Sequence, residues 1–231
     1  MKGICGKLLD VDLTSGRTGE LSIPVEMVRK YLGGRGLGAR LLFDLLPPKT
    51  DPLSPENILI FLTGPLTGSM VPGSSKFVVV TKSPLTGGWC DSYSSGRISI
   101  ELKKAGYDGI VIRGKSNAPC YLKIDDRGVE IREADWIWGK DSFAAEKMLK
   151  ELDGNGSAGV SSIGPAGENL CGYACINSDY YRQAARGGVG AVMGSKRLKA
   201  IVVRGTKNLE FHDHKRIIEL NRESYQRAKV S

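Results

Sequence analysis

Two stretches of the chain, SSGRISIELKKAGYDGIVIRGK (94–115) and ARGGVGAVMGSKRLKAIVVRGTK (185–207), share one pattern, and this pattern decides the fold. Gly96 in the first corresponds to Gly187 in the second, 91 positions later. Each stretch predicts a turn of small residues, then a short helix, then a strand rich in Ile and Val. The pattern therefore predicts that part of the chain is duplicated.

The correspondence continues upstream of both stretches. A buried strand ends at Gly64-Pro65, and another ends at Gly164-Pro165, an offset of 100 positions, so a length change lies between the two units. Two units of about 90–100 residues follow, each with the order strand, Gly-Pro, strand, glycine turn, helix, strand. The alternative is a chance similarity between two stretches that are both rich in glycine and strand-forming residues.

Local patterns predict the remaining elements. Pro24 and Pro47 predict the start and the end of a helical region, and Ser142 predicts an N-terminal helix cap. The predicted strands cover 4–13, 58–64, 76–84, 110–114, 120–125, 129–133, 158–164, 172–177 and 200–205. The predicted helices cover 24–34, 37–46, 98–105, 142–152, 189–195 and a final stretch from 214 onwards.

Composition restricts the class of protein. An apolar content of 41% is ordinary for a globular protein, and no apolar run approaches the roughly 20 residues that a membrane span needs. Without a signal-peptide core at the N-terminus, we expect a cytoplasmic protein with no membrane partner. The five cysteines are odd in number and scattered, which favours reduced thiols, and Cys171 and Cys175 lack the second pair that a metal site needs.

The formal net charge of +8 indicates anionic partners. Basic residues are dispersed among acidic ones, without a basic run or a zinc-finger spacing, so we expect no nucleic-acid partner. Thirty glycines occur in clusters, which is typical of backbone that turns tightly or approaches a ligand. None of the clusters is a dinucleotide fingerprint or a P-loop, so each is a weak signal when taken alone.

The duplication gives these clusters a chemical meaning. Both glycine turns precede a predicted helix start, where unpaired amide N–H groups and a partial positive charge attract phosphate. Arg97 and Arg186 add full charges beside them. Two such turns, related by a pseudo-two-fold axis, would suit one ligand with two phosphates or two phosphorylated ligands side by side.

Seven segments match a known family in order and spacing: DPLSPEN (51–57), GPLTG (64–68), TKSPLTG (81–87), ELKKAGYDGIVIRGK (101–115), IWGK (137–140), SIGPAGEN (162–169) and ARGGVGAVMGSKRLKAI (185–201). Through these segments the chain resembles the N-terminal domain of the tungsten-containing aldehyde ferredoxin oxidoreductase family. The resemblance implies an α+β fold, a duplicated pair of β-sheets with short helices and pseudo-two-fold related repeats. It also implies oxidation of an aldehyde to a carboxylic acid at a bis-pterin tungsten (or molybdenum) centre, with electrons passed through a [4Fe-4S] cluster to ferredoxin.

The resemblance also implies the residues that bind the cofactor. The cofactor-binding residues are Lys76, Tyr93, Ser95, Gly96, Arg182, Ala184, Ala185, Arg186 and Gly187, and the backbone carbonyls of Tyr93 and Ala184 hold a magnesium ion between the two pterin phosphates. Three positions depart from the family pattern. Lys76 stands where the family usually has Arg, Tyr93 where it often has Asn, and Ser95 where it has Gly.

Other parts of the enzyme are expected outside this chain. No catalytic residue is assigned here, the [4Fe-4S] ligands lie in other residues, and further helical domains or a partner subunit complete the enzyme. We expect a cofactor-binding domain over 1–208, with repeats of about 1–115 and 116–208. Residues 209–231 are the start of a helical domain or a connector. The alternatives are a stand-alone module that binds a phosphorylated pterin without redox turnover, and a structural domain that binds no ligand.

Overall fold

Two six-stranded mixed β-sheets form the centre of the protein, whose computed structural model describes residues 2–154 and 156–230. The first sheet contains β1 (Lys7–Asp12), β2 (Arg17–Ser22), β3 (Leu59–Thr63), β4 (Lys76–Lys82), β5 (Trp89–Ser95) and β6 (Gly109–Arg113). The second contains β7 (Cys120–Asp125), β8 (Gly128–Glu133), β9 (Gly159–Ser162), β10 (Ile176–Ser178), β11 (Arg182–Ala184) and β12 (Leu198–Val203). The helices are α1 (Val25–Tyr31), α2 (Gly34–Leu45), α3 (Arg97–Ala105), α4 (Ser142–Leu152), α5 (Pro165–Glu168), α6 (Val189–Ser195) and α7 (His214–Val230).

The two sheets have the same topology, which confirms the predicted duplication. The strand order is β2-β1-β6-β3-β4-β5 in the first sheet and, read in the same sense, β8-β7-β12-β9-β10-β11 in the second. In each sheet the first strand of the repeat pairs in parallel with the last, β1 with β6 and β7 with β12, and the other neighbours are antiparallel. The α+β class and the pair of sheets are therefore as expected.

Both faces of each sheet are covered, which explains the continuous apolar runs of the central strands. In β3, Leu59 and Phe61 point into the core between the sheets, whereas Ile60 and Leu62 point outward. The outward side chains pack under α1 and α2, where Leu41 and its neighbours complete a second apolar cluster. On the second sheet, α4 covers a third and smaller cluster.

The helices α3 and α6 lie between the two sheets, and each contacts the repeat to which it does not belong. Ile98 of α3 lies against β9 of the second sheet so closely that a Cβ at Gly159 would overlap the Ile98 backbone. In the other direction, α6 contacts β3 and β4 of the first sheet. Because each repeat supplies part of the other repeat's core, the two repeats are packed as one unit.

Three strands were not predicted from the sequence. They are β2, β5 and β11, and all three lie at sheet edges. The side chains of β2 and much of β11 are exposed and polar, so neither shows the alternation of apolar residues that predicts a strand. In β5, the small residues that suggested a turn at 93–96 instead continue the strand to Ser95.

Two smaller predictions also need correction. The predicted strand over 172–177 is shorter and later, at Ile176–Ser178. The cap of α4 is Asp141 rather than Ser142, because the Asp141 Oδ1 atom accepts a hydrogen bond from the Ala144 N–H at 2.8 Å. The final helix forms as α7 and is largely exposed, whereas the predicted end of that stretch at Ser231 lies outside the described residues. Within 2–154 and 156–230, no helix is long and apolar enough to cross a membrane.

A fully buried lysine ties the two repeats together near the end of α6. The Lys196 Nζ atom donates hydrogen bonds to the carbonyl oxygens of Pro55 at 3.3 Å, Asn57 at 2.5 Å and Gly114 at 3.0 Å. Burial lowers the pKa of Lys196 to about 8. Three carbonyl acceptors match the three N–H donors of an ammonium group, and this arrangement joins the second repeat to two loops of the first.

Replacing this lysine should therefore destabilise the fold. We expect Lys196→Met to lower the free energy of unfolding by about 3 kcal/mol, because the buried Asn57 carbonyl and the partly buried contacts to Pro55 and Gly114 lose the ammonium donor. The exposed Lys147→Met is the matched control and should change stability by less than about 0.5 kcal/mol. Urea unfolding measures both, and equal midpoints for the two variants would contradict a structural role for Lys196.

Candidate functional site

The outer edges of the two sheets, β5 and β11, lie side by side. The Arg186 backbone N–H donates to Ser92 Oγ at 2.9 Å, and Ser83 Oγ donates to the Gly187 carbonyl at 2.7 Å. At the other end of the same junction, Arg182 Nη1 donates to Ser95 Oγ at 3.3 Å. The two turns that the sequence related by duplication are therefore neighbours in space.

Most of the predicted site residues lie along this junction of edge strands. Lys76 begins β4 directly opposite Ser95 of β5, and its side chain is exposed. Tyr93 is 47% exposed on β5, whereas Ala184 of β11 is fully buried in the core between the sheets. Both Tyr93 and Ala184 belong to edge strands, which leave part of their backbone polar groups unpaired on the outer side of the sheet.

The two glycines of the predicted site are required by contacts between the repeats. Gly96 has a φ of 122°, and a Cβ there would overlap Asp179 Oδ2. Gly187 has a φ of 63°, and a Cβ there would overlap the Cys90 Sγ atom. In each case a glycine of one repeat touches a strand or turn of the other repeat, so these glycines allow the two edges to approach closely.

Both helix starts use some of their amide groups within the protein. The Arg97 N–H, the first of α3, donates to Asp179 Oδ2 at 2.5 Å. In α6, the Gly190 N–H donates to the Ala174 carbonyl at 2.9 Å. The sequence predicted free amides at these helix starts, and for Arg97 and Gly190 the prediction is wrong. An anion at the junction would therefore rely on side-chain cations and edge-strand backbone as well as on the helix ends.

Several cations line the junction on its solvent side. Lys76, Arg97, Arg182 and Arg186 are exposed, and the Arg97 Nε atom lies 3.6 Å from Glu101 Oε1. Among the residues that the structure describes, the Arg186 guanidinium forms no ion pair or hydrogen bond. Guanidinium groups bind phosphate through parallel hydrogen bonds, so this group of four cations suits an anionic, phosphorylated ligand.

Comparison with known proteins identifies the family. A family model described as "Aldehyde ferredoxin oxidoreductase, N-terminal domain" matches residues 8–205. The chain belongs to this family. The resemblance inferred from the sequence segments is thereby confirmed.

Relatives within the family are similar along almost the whole chain. The tungsten-containing aldehyde ferredoxin oxidoreductase of Pyrococcus abyssi is 49% identical over 99% of this chain, which covers 38% of that protein. The aliphatic sulfonate oxidoreductase, WOR-like subunit, of Pyrococcus furiosus is 42% identical, covering 94% of this chain and 37% of that protein. The chain therefore spans less than two fifths of the length of these relatives.

A solved structure is similar in fold as well as in sequence. It is described as the active site complex BamBC of benzoyl coenzyme A reductase in complex with 1,5-dienoyl-CoA. Its TM-score is 0.95 at 41% sequence identity, and the match covers 99% of this chain and 35% of that chain. The pair of duplicated sheets is thus a fold shared with this solved structure.

The cysteines do not form a metal site in the described part of the chain. All five are free thiols, and no group of three or more His, Cys, Asp or Glu side chains is placed to hold a metal ion within 2–154 and 156–230. Burial raises the pKa of Cys5, Cys90 and Cys175, and it raises the pKa of Cys120 to about 11. Cys90 and Cys120 are buried, whereas Cys5, Cys171 and Cys175 are half-buried.

Sequence reasoning missed the residues that hold the junction together. These are Ser83, Cys90, Ser92 and Asp179, each of which contacts the opposite repeat. The two serines and the cysteine could not be predicted, because a small side chain does not indicate whether it faces the core, the solvent or the other repeat. Asp179 did have a signal, since an Asp in a short loop between two strands is typical of a tight hairpin turn.

The close approach at Gly187 can be tested by adding one methyl group. We expect Gly187→Ala to lower the free energy of unfolding by about 3 kcal/mol, from backbone strain and overlap with Cys90. Gly16→Ala is the matched control, because Gly16 has a φ of 70° but no atom within 4 Å of an added Cβ. That variant should lose only about 1 kcal/mol.

A double-mutant cycle separates the overlap from the strain. Cys90→Ala removes the overlapping Sγ atom, so it should recover part of the stability lost in Gly187→Ala. Equal losses for Gly16→Ala and Gly187→Ala in urea unfolding would show that the two edges are not tightly packed at this point.

Proposed function

We propose that this chain is the cofactor-binding platform of an aldehyde ferredoxin oxidoreductase-like enzyme. Such an enzyme oxidises an aldehyde to a carboxylic acid at a bis-pterin tungsten centre and passes electrons through a [4Fe-4S] cluster to ferredoxin. The observation that carries the proposal is the junction of β5 and β11, where two duplicated edges bring Arg182 and Arg186 together with Lys76. Membership of the family supports it.

The residues at the junction fit a doubly phosphorylated ligand. Arg186 carries a charge without a protein partner in the described residues, Arg182 donates to Ser95 Oγ, and Lys76 is the strand partner of Ser95. We propose that these cations bind the pterin phosphates. The backbone carbonyls of Tyr93 and Ala184, one from each edge strand, would hold a magnesium ion that neutralises phosphate charge.

The contribution of this chain is positional and electrostatic. When bound, the tungsten-pterin group supplies the two-electron redox chemistry. The chain holds that group against a rigid base, since the residues of the junction are fixed by hydrogen bonds between the repeats. The cluster ligands, the residues that contact substrate and the surface that meets ferredoxin are assigned to the remaining domains or to a partner subunit.

The names of the relatives support this division of roles. One relative is an aldehyde oxidoreductase at 49% identity, and another is an aliphatic sulfonate oxidoreductase at 42% identity. The structural neighbour is named for benzoyl coenzyme A reductase, at 41% identity. Similar identity to proteins named for different substrates favours a cofactor role for this segment, with substrate choice assigned to other residues.

Removing one phosphate-binding charge tests the platform role. We expect Arg186→Ala in the full-length protein to weaken cofactor retention by about tenfold, because a charge-assisted hydrogen bond contributes about 1.5–3 kcal/mol. Arg186→Lys should lie between wild type and Ala, since it keeps the charge but loses the planar fork. The measurement is tungsten by mass spectrometry and pterin by fluorescence, each per mole of protein.

The control is Arg17→Ala at the start of β2, an exposed arginine in the first repeat that should leave cofactor content unchanged. Normal tungsten and pterin content in both Arg186→Ala and Arg182→Ala would overturn the platform role. A protein that carries the pterin but never reduces ferredoxin with any aldehyde would instead support the stand-alone binding module.

A further inference from the structure

We infer that Glu146, Lys150 and Asp179 form an ionic clamp that positions Arg182 for the cofactor. The clamp connects α4, on the outside of the second sheet, to the hairpin turn between β10 and β11 and to the start of α3. The inference rests on the proposed function, because Arg182 is assigned there to a phosphate. It adds three positioning residues that do not themselves touch the ligand.

The turn that precedes Arg182 has a strained backbone. Asp179 has a φ of 45° and Tyr180 a φ of 63°, both in the left-handed region. Asp adopts this conformation with little difficulty, but a bulky residue such as Tyr does so at a cost of about 1 kcal/mol or more. Such a conformation persists only when neighbouring groups hold it, so the contacts of this turn decide where β11 begins.

The clamp supplies those contacts. Glu146 is fully buried, and its Oε2 atom accepts the Tyr180 N–H at 2.9 Å. The Lys150 Nζ atom lies 2.6 Å from Glu146 Oε1, 3.5 Å from Asp179 Oδ1 and 4.6 Å from the centre of the Tyr180 ring. α4 therefore holds both residues of the strained turn. Tyr180 is held through its backbone N–H, and Asp179 is held through its carboxylate.

Asp179 extends the clamp to the first repeat. Its Oδ2 atom accepts the Arg97 N–H at the start of α3, and it lies where a side chain at Gly96 would be. Arg182 follows directly after this turn, which ends at Tyr181, and donates to Ser95 Oγ at 3.3 Å. The same turn thus fixes the contact between the two repeats and the position of the guanidinium beside Ser95.

The arrangement is present in one repeat and absent from the corresponding place in the other. At the offset of 91 that relates the two glycine turns, the counterpart of Asp179 is Gly88, which has no carboxylate. Burying a charged pair contributes little net stability, and a known use of such pairs is to select one arrangement of the chain. We therefore assign the clamp the role of positioning Arg182. This role applies only to the side of the junction that contains Arg182.

The test uses the cofactor-loaded, full-length protein with Glu146→Gln and Asp179→Asn. Both variants keep the size and an acceptor oxygen, but they remove the charge that Lys150 balances. We expect tungsten and pterin retention to fall by about tenfold, as is typical when the residues that orient a ligand group are changed. We also expect faster amide hydrogen exchange at Tyr180 and Arg182.

Glu168→Gln is the matched control. Glu168 is also a buried carboxylate that pairs with one lysine, Lys199, and accepts a backbone N–H, that of Gly139 at 2.9 Å. It lies beside Gly194, at the opposite end of α6 from Gly187. This variant should lose a comparable amount of stability in urea and keep its full cofactor content.

The outcomes separate this inference from the proposed function. If Arg182→Ala loses the cofactor while Glu146→Gln and Asp179→Asn retain it, the clamp has no positioning role and the platform stands. The positioning role also fails if Glu168→Gln loses as much cofactor as the clamp variants, because the loss would then track stability alone. If Arg182→Ala retains the cofactor, the platform role of Arg182 fails and the clamp has nothing to position.

Discussion

The contact between the two repeats at Gly96 and Gly187 is the constraint on which the structure depends. Each glycine lies against the opposite repeat, Gly96 against Asp179 and Gly187 against Cys90, and both need a positive φ. Only a residue without a Cβ satisfies both requirements at no steric cost. Because these contacts bring β5 and β11 together, they create the junction where the cations of the candidate site converge.

Buried charges give this arrangement a single register. Among the described residues three lysines are buried: Lys103 and Lys199 pair with the carboxylates of Asp108 and Glu168, and Lys196 donates to three carbonyl oxygens. A charged group without partners in the interior is strongly unfavourable, so a slip of one repeat against the other would leave Lys196 without its acceptors, whereas Lys103 and Lys199 are paired within their own repeats. The same physics operates at the clamp beside Arg182. A rigid base of this kind suits a platform whose role is to hold a large cofactor in one orientation.

The duplication gives this domain two similar edges, which is the arrangement that the proposed ligand with two equivalent halves would need. Two copies of the same topology place two similar edge strands, β5 and β11, side by side, and each edge offers its own backbone and cations. The copies have also diverged. The Asp179 carboxylate accepts the first N–H of α3, whereas the first repeat has Gly88 at the position that corresponds to Asp179. The two sides of the junction therefore differ in the groups that fix them.

The sequence by itself determined the duplication, the apolar central strands and the family, because these depend on periodicity and on motifs that are local in the chain. It also singled out the two segments 93–96 and 184–188, which meet at the junction. Only the tertiary structure showed that β5 continues through Ser95 and that Gly96 and Gly187 serve contacts between repeats. It also showed that the amide N–H at the start of α3, expected to be free, donates to Asp179. Edge strands and cross-repeat contacts are decided by residues some 90 positions apart, and no local pattern of polarity records which of these residues meet.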